Sequence, residues 1–292
     1  MYKILILGAD GFLGRRLINV KSPNFVSYGT TRNVNFLKDS HLVFFDVNEF
    51  LSFSTLLKRI KPDVVINCIA LKVEECEINE EDTKKINVLF PQYAAKISGE
   101  FGIKFIQIST DNFESIPGEL RNEKVICRPV NAYGRSKIMA DHFISVENKD
   151  AIVIRTSFFG YEMNYEADNL LSKIRGSVLS NVPFNGFYDV YFSPVSISYL
   201  VYAIQRLFLL NFNGLINIAS DETITQYEFA LIVSRHLDLA SNAIQSCSVL
   251  ELNSKLRRVS FRSLNNSLLK TVLSESVPSM NDMIQVELGN YS

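Results

Sequence analysis

The chain has 292 residues, enough for one large α/β unit or two domains, and 47% of it is hydrophobic against 21% charged, an ordinary globular composition with material for a sizeable core. Thirty Lys and Arg against 31 Asp and Glu leave a net charge of -1, so the chain lacks the basic footprint of a nucleic-acid binder or of a protein held on an anionic membrane. The cysteines Cys68, Cys76, Cys127 and Cys247 show no C-x-x-C spacing and the three histidines form no ligand set, so free thiols and no metal are expected.

The chain begins with a short apolar run, Ile4 to Leu7, that stops at a glycine and suits a strand better than a leader. Further β-rich runs fall at 25–29, 42–45, 64–67, 104–109 and 151–155, several nearly all apolar, as strands covered on both faces should be. Helical spacing fills the gaps at 12–20, 53–60, 80–101 and 132–145. The alternation predicts a Rossmann-type α/β fold, a doubly wound parallel sheet. Beyond 155 the rhythm loosens: helical spacing at 169–179, an extended stretch around Pro183 and Pro194, a helix over 197–209, a strand over 216–219, and a Thr225/Glu228 capping box opening a helix to about 237. We expect a dinucleotide-binding domain over 1–158, with parts of 187–220 packing back on it, and a smaller substrate-binding region over 159–292. The longest apolar region, 199–212, is interrupted by Gln205 and Arg206 and falls short of the ~20 residues a span needs, which points to a cytoplasmic protein without a membrane partner.

Gly8-Ala9-Asp10-Gly11-Phe12-Leu13-Gly14 follows the first strand and opens the first helix. In such a loop Gly8 permits the turn, Gly11 lets backbone approach a pyrophosphate, and Gly14 brings helix onto strand. The second strand ends in Thr31-Arg32 with no acid, and these two can bond and neutralise a 2′-phosphate, so NADP(H) is expected, with NAD(H) as the second option. Asp46 and Val47 can take the adenine amino group and ring, although Asp46 reads equally well as a helix cap. Ile69, Ala70 and Leu71 end the fourth strand at the carboxyl edge of the sheet, where ligands collect.

The fifth strand runs into Ser109-Thr110-Asp111 at that same edge, and Tyr133-Gly134-Arg135-Ser136-Lys137 sets a phenol and an ammonium four residues apart, one turn along a helix face. A cation about 4 Å away contributes up to about 4 kcal/mol at an effective dielectric near 20, or roughly three pK units before desolvation, enough to make a tyrosine a useful acid. Thr110 can donate to a carbonyl oxygen, Tyr133 can deliver the proton, and Lys137 can tune the phenol and hold the nicotinamide ribose.

On the glycine loop, Pro62-Asp63-Val64-Val65-Ile66-Asn67, Cys76-Glu77, Asn87, Ser109-Thr110-Asp111, the Tyr133–Lys137 segment and Arg155-Thr156-Ser157, the sequence resembles the extended short-chain dehydrogenase/reductases, most closely the dTDP-4-dehydrorhamnose reductase (RmlD-like) group. The resemblance covers nearly the whole chain. It implies a catalytic triad of Thr110, Tyr133 and Lys137, with Asn87 and Ser109 also at the cofactor. It further implies an NAD(P)H-dependent reductase of a nucleotide-linked 4-keto-6-deoxy sugar, with a smaller C-terminal domain over the sugar. A homodimer is left open. Asp111, Tyr188, Tyr191 and Arg258 are the candidate substrate contacts.

The chain departs from that group at Asn112-Phe113-Glu114-Ser115, in a Lys72–Glu75 loop one residue short, and around Arg257-Arg258-Val259, where an Arg-Pro pair is missing. These departures leave the sugar open. The alternatives are an epimerase or dehydratase of the same superfamily, disfavoured because Asn112 rather than Glu follows Asp111, and a non-catalytic NADP-binding regulatory subunit.

Overall fold

The computed structural model describes residues 1–37, 41–114, 119–161, 169–180, 182–237, 243–251 and 257–289. They form two compact units, Met1–Thr110 with Asn131–Arg155 and Phe208–Ile216, and Asp111–Val130 with Thr156–Leu207 and Asn217–Ser292. Ser115 of the altered stretch lies outside the described residues.

The first unit is built on β1 (Tyr2–Leu7), α1 (Phe12–Ile18), β2 (Phe25–Thr31), β3 (Leu42–Phe44), α2 (Phe53–Ile60), β4 (Val64–Asn67), α3 (Val73–Ile78), α4 (Glu80–Lys84), α5 (Phe90–Glu100), β5 (Lys104–Ile108), α6 (Ala132–Glu147) and β6 (Ile152–Thr156). With the strand Gly214–Ile218 these make a seven-stranded sheet, in the order Gly214–Ile218, β6, β5, β4, β1, β2, β3. The pairs β1/β2, β1/β4, β2/β3, β4/β5 and β5/β6 are parallel. The strands that read as continuous apolar runs are the ones covered on both faces: Ile4 to Leu7 and Val64 to Ile66 are all buried. On one side, Phe45, Phe53 and Phe90 pack with ring centroids 5.7 to 6.1 Å apart, a geometry aromatic rings favour. Because β1 lies between β2 and β4, the chain leaves the sheet in opposite directions there, which opens a crevice beyond their carboxyl ends.

Two local differences from the sequence expectation bear on the site. The predicted helix over 80–101 is interrupted by a wide π turn at Lys85–Leu89, after which Pro91 sits at the start of α5. Residues read as a loop after Lys72 form α3, at whose start Lys72 N donates to Glu75 Oε2 at 2.6 Å.

The second unit includes 111–130, which the sequence reading assigned to the first. The cause is Arg121, buried to 1% exposure, whose Nε donates to Ser263 O at 3.2 Å, whose Nη1 donates to Asp111 O and Phe113 O, and whose guanidinium stacks on the Phe113 ring 4.2 Å away. Asn217 Nδ2 also donates to Arg121 O at 2.9 Å. The unit's aromatic core is Phe159, Phe192 and Phe229. The helix Gln226–His236 starts with the expected capping box, Glu228 N donating to Thr225 Oγ1 at 3.1 Å and Thr225 N to Glu228 Oε2 at 2.7 Å. Among the described residues no helix is long and apolar enough to cross a membrane.

Candidate active site

The glycine loop closes on itself because only glycine fits two of its positions. Gly8 sits at φ +78°, and a Cβ on Gly14 would lie 2.1 Å from Gly8 O. The loop is tied to β2 by Gly8 N donating to Thr30 Oγ1 at 3.1 Å and Ala9 N to Thr30 O at 2.8 Å. Gly11 plays a different part: a Cβ there would meet only Gly8 O, at 3.4 Å. What it would fill is the cleft.

That cleft, of about 190 Å³, lies entirely in the first unit. It is lined by Gly8, Gly11, Thr31, Arg32, Val47, Ile69, Ala70 and Leu71, all anticipated from sequence. Asp10, Thr30, Phe45, Cys68 and Ile86 line it too and were not anticipated. Leu13 and Gly14 lie beneath the loop, buried with the first turn of α1, which Phe12 begins. Asp46 does not line the cleft; its Oδ1 accepts from Asn48 N at 2.9 Å and caps the turn that follows. An apolar floor, a loop of backbone amides, a glycine whose missing Cβ leaves the space open, and an exposed arginine at one end match what a dinucleotide requires.

The floor is held from behind by buried polar groups. Asn67 Oδ1 accepts from Ile69 N at 3.1 Å while its Nδ2 donates to Gln107 Oε1 at 2.9 Å. Asn87, carried on the wide turn, accepts from Leu71 N at 2.8 Å and donates to Ser136 Oγ at 3.1 Å, and Ser136 Oγ donates to Tyr133 O at 2.8 Å. Asn87 therefore links the cleft floor to the helix that bears Tyr133 and Lys137.

That helix, α6, begins at a defined point. Asn131 Oδ1 accepts from Gly134 N at 2.8 Å and Glu77 Oε1 accepts from Ala132 N at 2.6 Å, so two otherwise orphaned amides are satisfied next to Tyr133. One turn on, the buried Lys137 ammonium donates to Ile108 O at 2.7 Å. Ile108 ends β5 two residues before Thr110, so this bond docks the Tyr-Lys helix onto the strand that delivers Ser109 and Thr110, both buried. Asp141, one turn beyond Lys137 and missed by the sequence reading, is buried against Arg155 of β6, with Oδ2 3.1 Å from Nε. Burial raises the Asp141 carboxyl, and Arg155 opposes that rise most strongly. The Arg155 of the Arg-Thr-Ser stretch thus acts through Asp141 on the charge behind the lysine.

Burial also pushes the Lys137 ammonium down to about 8, against the pull of Asp141. The unfolded chain, with the ordinary lysine value of 10.5, keeps this proton to higher pH than the folded one, so folding stability rises as pH goes from about 8 towards 10.5. Compared with Lys137→Met, wild type is expected to gain about 2–3 kcal/mol of unfolding free energy between pH 7.5 and pH 10. Denaturant titrations at the two pH values read this directly; a constant difference would mean the buried ammonium carries no such strain.

In the second unit the substrate candidates separate. Asp111 is buried with Oδ1 3.6 Å from Arg262 Nη1, and Arg262 N donates to Tyr191 O at 3.1 Å, so Asp111 and Tyr191 share one neighbourhood. Burial raises the Asp111 carboxyl, opposed by Arg262 and then Arg121. Tyr188 and Arg258 are exposed and make no part of this cluster. Arg262, not anticipated from sequence, lies just beyond the Arg257–Val259 stretch in which the Arg-Pro pair is missing.

The chain is similar over most of its length to known proteins. A Haloferax volcanii protein, named probable low-salt glycan biosynthesis reductase Agl14, is 24% identical over 296 residues, covering 98% of each chain. The spore coat polysaccharide biosynthesis protein SpsK of Bacillus subtilis is 24% identical over 269 residues, 91% of this chain and 90% of that one. The structure of the Bacillus anthracis dTDP-4-dehydrorhamnose reductase in complex with NADP superposes over the full length of both chains with a TM-score of 0.88 at 20% identity, which attests the common fold. The RmlD substrate binding domain model matches residues 2–291, and with it the chain belongs to that sugar-nucleotide reductase-like family.

Proposed function

We propose that this protein is an NAD(P)H-dependent reductase of a nucleotide-activated 4-keto-6-deoxy sugar. The observation that carries the proposal is the bond from Lys137 Nζ to Ile108 O, which fixes Tyr133, Lys137 and Thr110 within one unit that also holds the cleft. The names of the relatives support a reductase of glycan or polysaccharide precursors, and the NADP in the B. anthracis structure supports NADP(H), with NAD(H) as the second option.

In this reading the Gly8–Gly14 loop receives the pyrophosphate, Val47 and Phe45 wall the adenine, and Ile69, Ala70 and Leu71 lie under the nicotinamide ribose. Arg32 neutralises a 2′-phosphate. When bound, the dinucleotide supplies a hydride for the C4 carbonyl carbon. Thr110 donates a hydrogen bond to the carbonyl oxygen, and Tyr133 gives that oxygen the proton that balances the hydride. Lys137 keeps positive charge beside the phenol and holds the ribose hydroxyls. Asp111 and Tyr191 contact the sugar nucleotide.

The test is consumption of NADPH and NADH with a panel of enzymatically generated 4-keto-6-deoxy sugar nucleotides. At least one is expected to drive oxidation well above background. If the protein binds NADPH but oxidises it with none of them, the reductase reading gives way to a non-catalytic nucleotide-binding subunit.

A further inference from the structure

A carboxylate stands at the end of β2 although the sequence there contains none. Asp10, from the glycine loop, accepts a hydrogen bond at Oδ2 from Thr31 Oγ1 at 2.8 Å, across 21 residues of chain. Thr31 Oγ1 in turn accepts from Asn33 N at 2.9 Å. Asp10, Thr31 and Arg32 all line the cleft. The Asp10 backbone is fixed as well, since Arg15 Nε donates to its carbonyl oxygen at 2.9 Å.

Two consequences follow for a ligand at this end of the cleft. A hydroxyl has one hydrogen bond to donate, and Thr31 donates it to Asp10, so Thr31 is not the phosphate donor that its position at the end of β2 suggested. A carboxylate at the end of the second strand is also the group that receives a free ribose 2′-hydroxyl, whereas it repels a 2′-phosphate. Arg32, exposed beside it, acts in the opposite sense.

Resting on the cofactor reading above, we propose that Asp10 is a specificity-determining residue: its carboxylate takes the 2′-hydroxyl of NAD(H), opposes the 2′-phosphate of NADP(H), and limits the NADPH preference that Arg32 confers. The residue that elsewhere would come from the strand is supplied here from the glycine loop, held in place by Thr31.

Asp10→Asn tests this with little change in shape, because the amide oxygen can still accept from Thr31 while the charge is gone. Equilibrium titrations following nicotinamide fluorescence, with the full chain at low and high salt, give dissociation constants for NADPH and NADH without any substrate. The NADPH-to-NADH affinity ratio is expected to rise about tenfold in Asp10→Asn, with the gain shrinking at high salt. Arg32→Ala is expected to move the ratio the other way. Should Asp10→Asn not fold, Asp10→Ser removes the same charge and is expected to shift the ratio in the same direction. An unchanged ratio, or equal weakening of both nucleotides, overturns the role of Asp10 and leaves the cofactor reading standing. If wild type binds neither nucleotide, both fall together.

Discussion

Replacing Tyr133 by Phe is expected to lower turnover by roughly 10²- to 10⁴-fold, the range a positioned general acid contributes, while dinucleotide affinity stays within about a factor of two. The expectation follows from how Tyr133 is held. The start of α6 around it is held by the Asn131 and Glu77 caps and by Ser136, all through backbone atoms that the substitution keeps. Lys137 keeps its bond to Ile108 O in the variant, so the floor and the lysine stay positioned. Single-turnover rates with saturating NADPH, beside binding titrations, separate the two effects. Equal turnover by wild type and variant would move the proton donor elsewhere.

Gly14→Ala is expected to destabilise the first unit by about 3 kcal/mol or more and to abolish dinucleotide binding. The new Cβ would lie 2.1 Å from Gly8 O, 2.8 Å from Ala9 Cα and 2.9 Å from Gly8 C, all backbone atoms that cannot swing aside. Helix α1 would have to lift off the loop. Gly11→Ala offers the contrast: its Cβ meets protein only at 3.4 Å, so it is expected to unfold with the same midpoint as wild type yet bind NADPH poorly, because the methyl group occupies the cleft. Thermal melts and titrations on the pair distinguish a glycine required by the fold from one required by the ligand. Matching melts for Gly14→Ala and wild type would refute the steric argument.

Local features of the site were legible in sequence because their causes are local. The glycine loop, the buried strands and the Tyr-Lys spacing depend on residues within a turn or a strand of each other, and the apolar run that predicted 197–209 gives the helix Ile197–Leu209. Partnerships between distant segments were not legible. Nothing in the sequence near Thr31 announces that Asp10 will accept its hydrogen bond, near Lys137 that Arg155 will meet Asp141, or near Asp111 that Arg262 will sit beside it. A charged residue in an apolar stretch is the available hint, and Arg155 and Asp141 both carried it. The wide turn at Lys85–Leu89 was hidden for another reason: its composition is that of an ordinary helix, and only the demand on Asn87 distinguishes it.

That turn makes the length of the segment, rather than only its composition, a requirement. It holds one residue more than regular winding would, and dropping one would let Glu80 to Glu100 coil evenly at a gain in helical regularity. The same deletion would swing Asn87 about 100° around the axis, away from Leu71 N on one side and Ser136 Oγ on the other. Inside what looks like a plain helix, the residue count therefore decides whether one side chain can meet two partners at once.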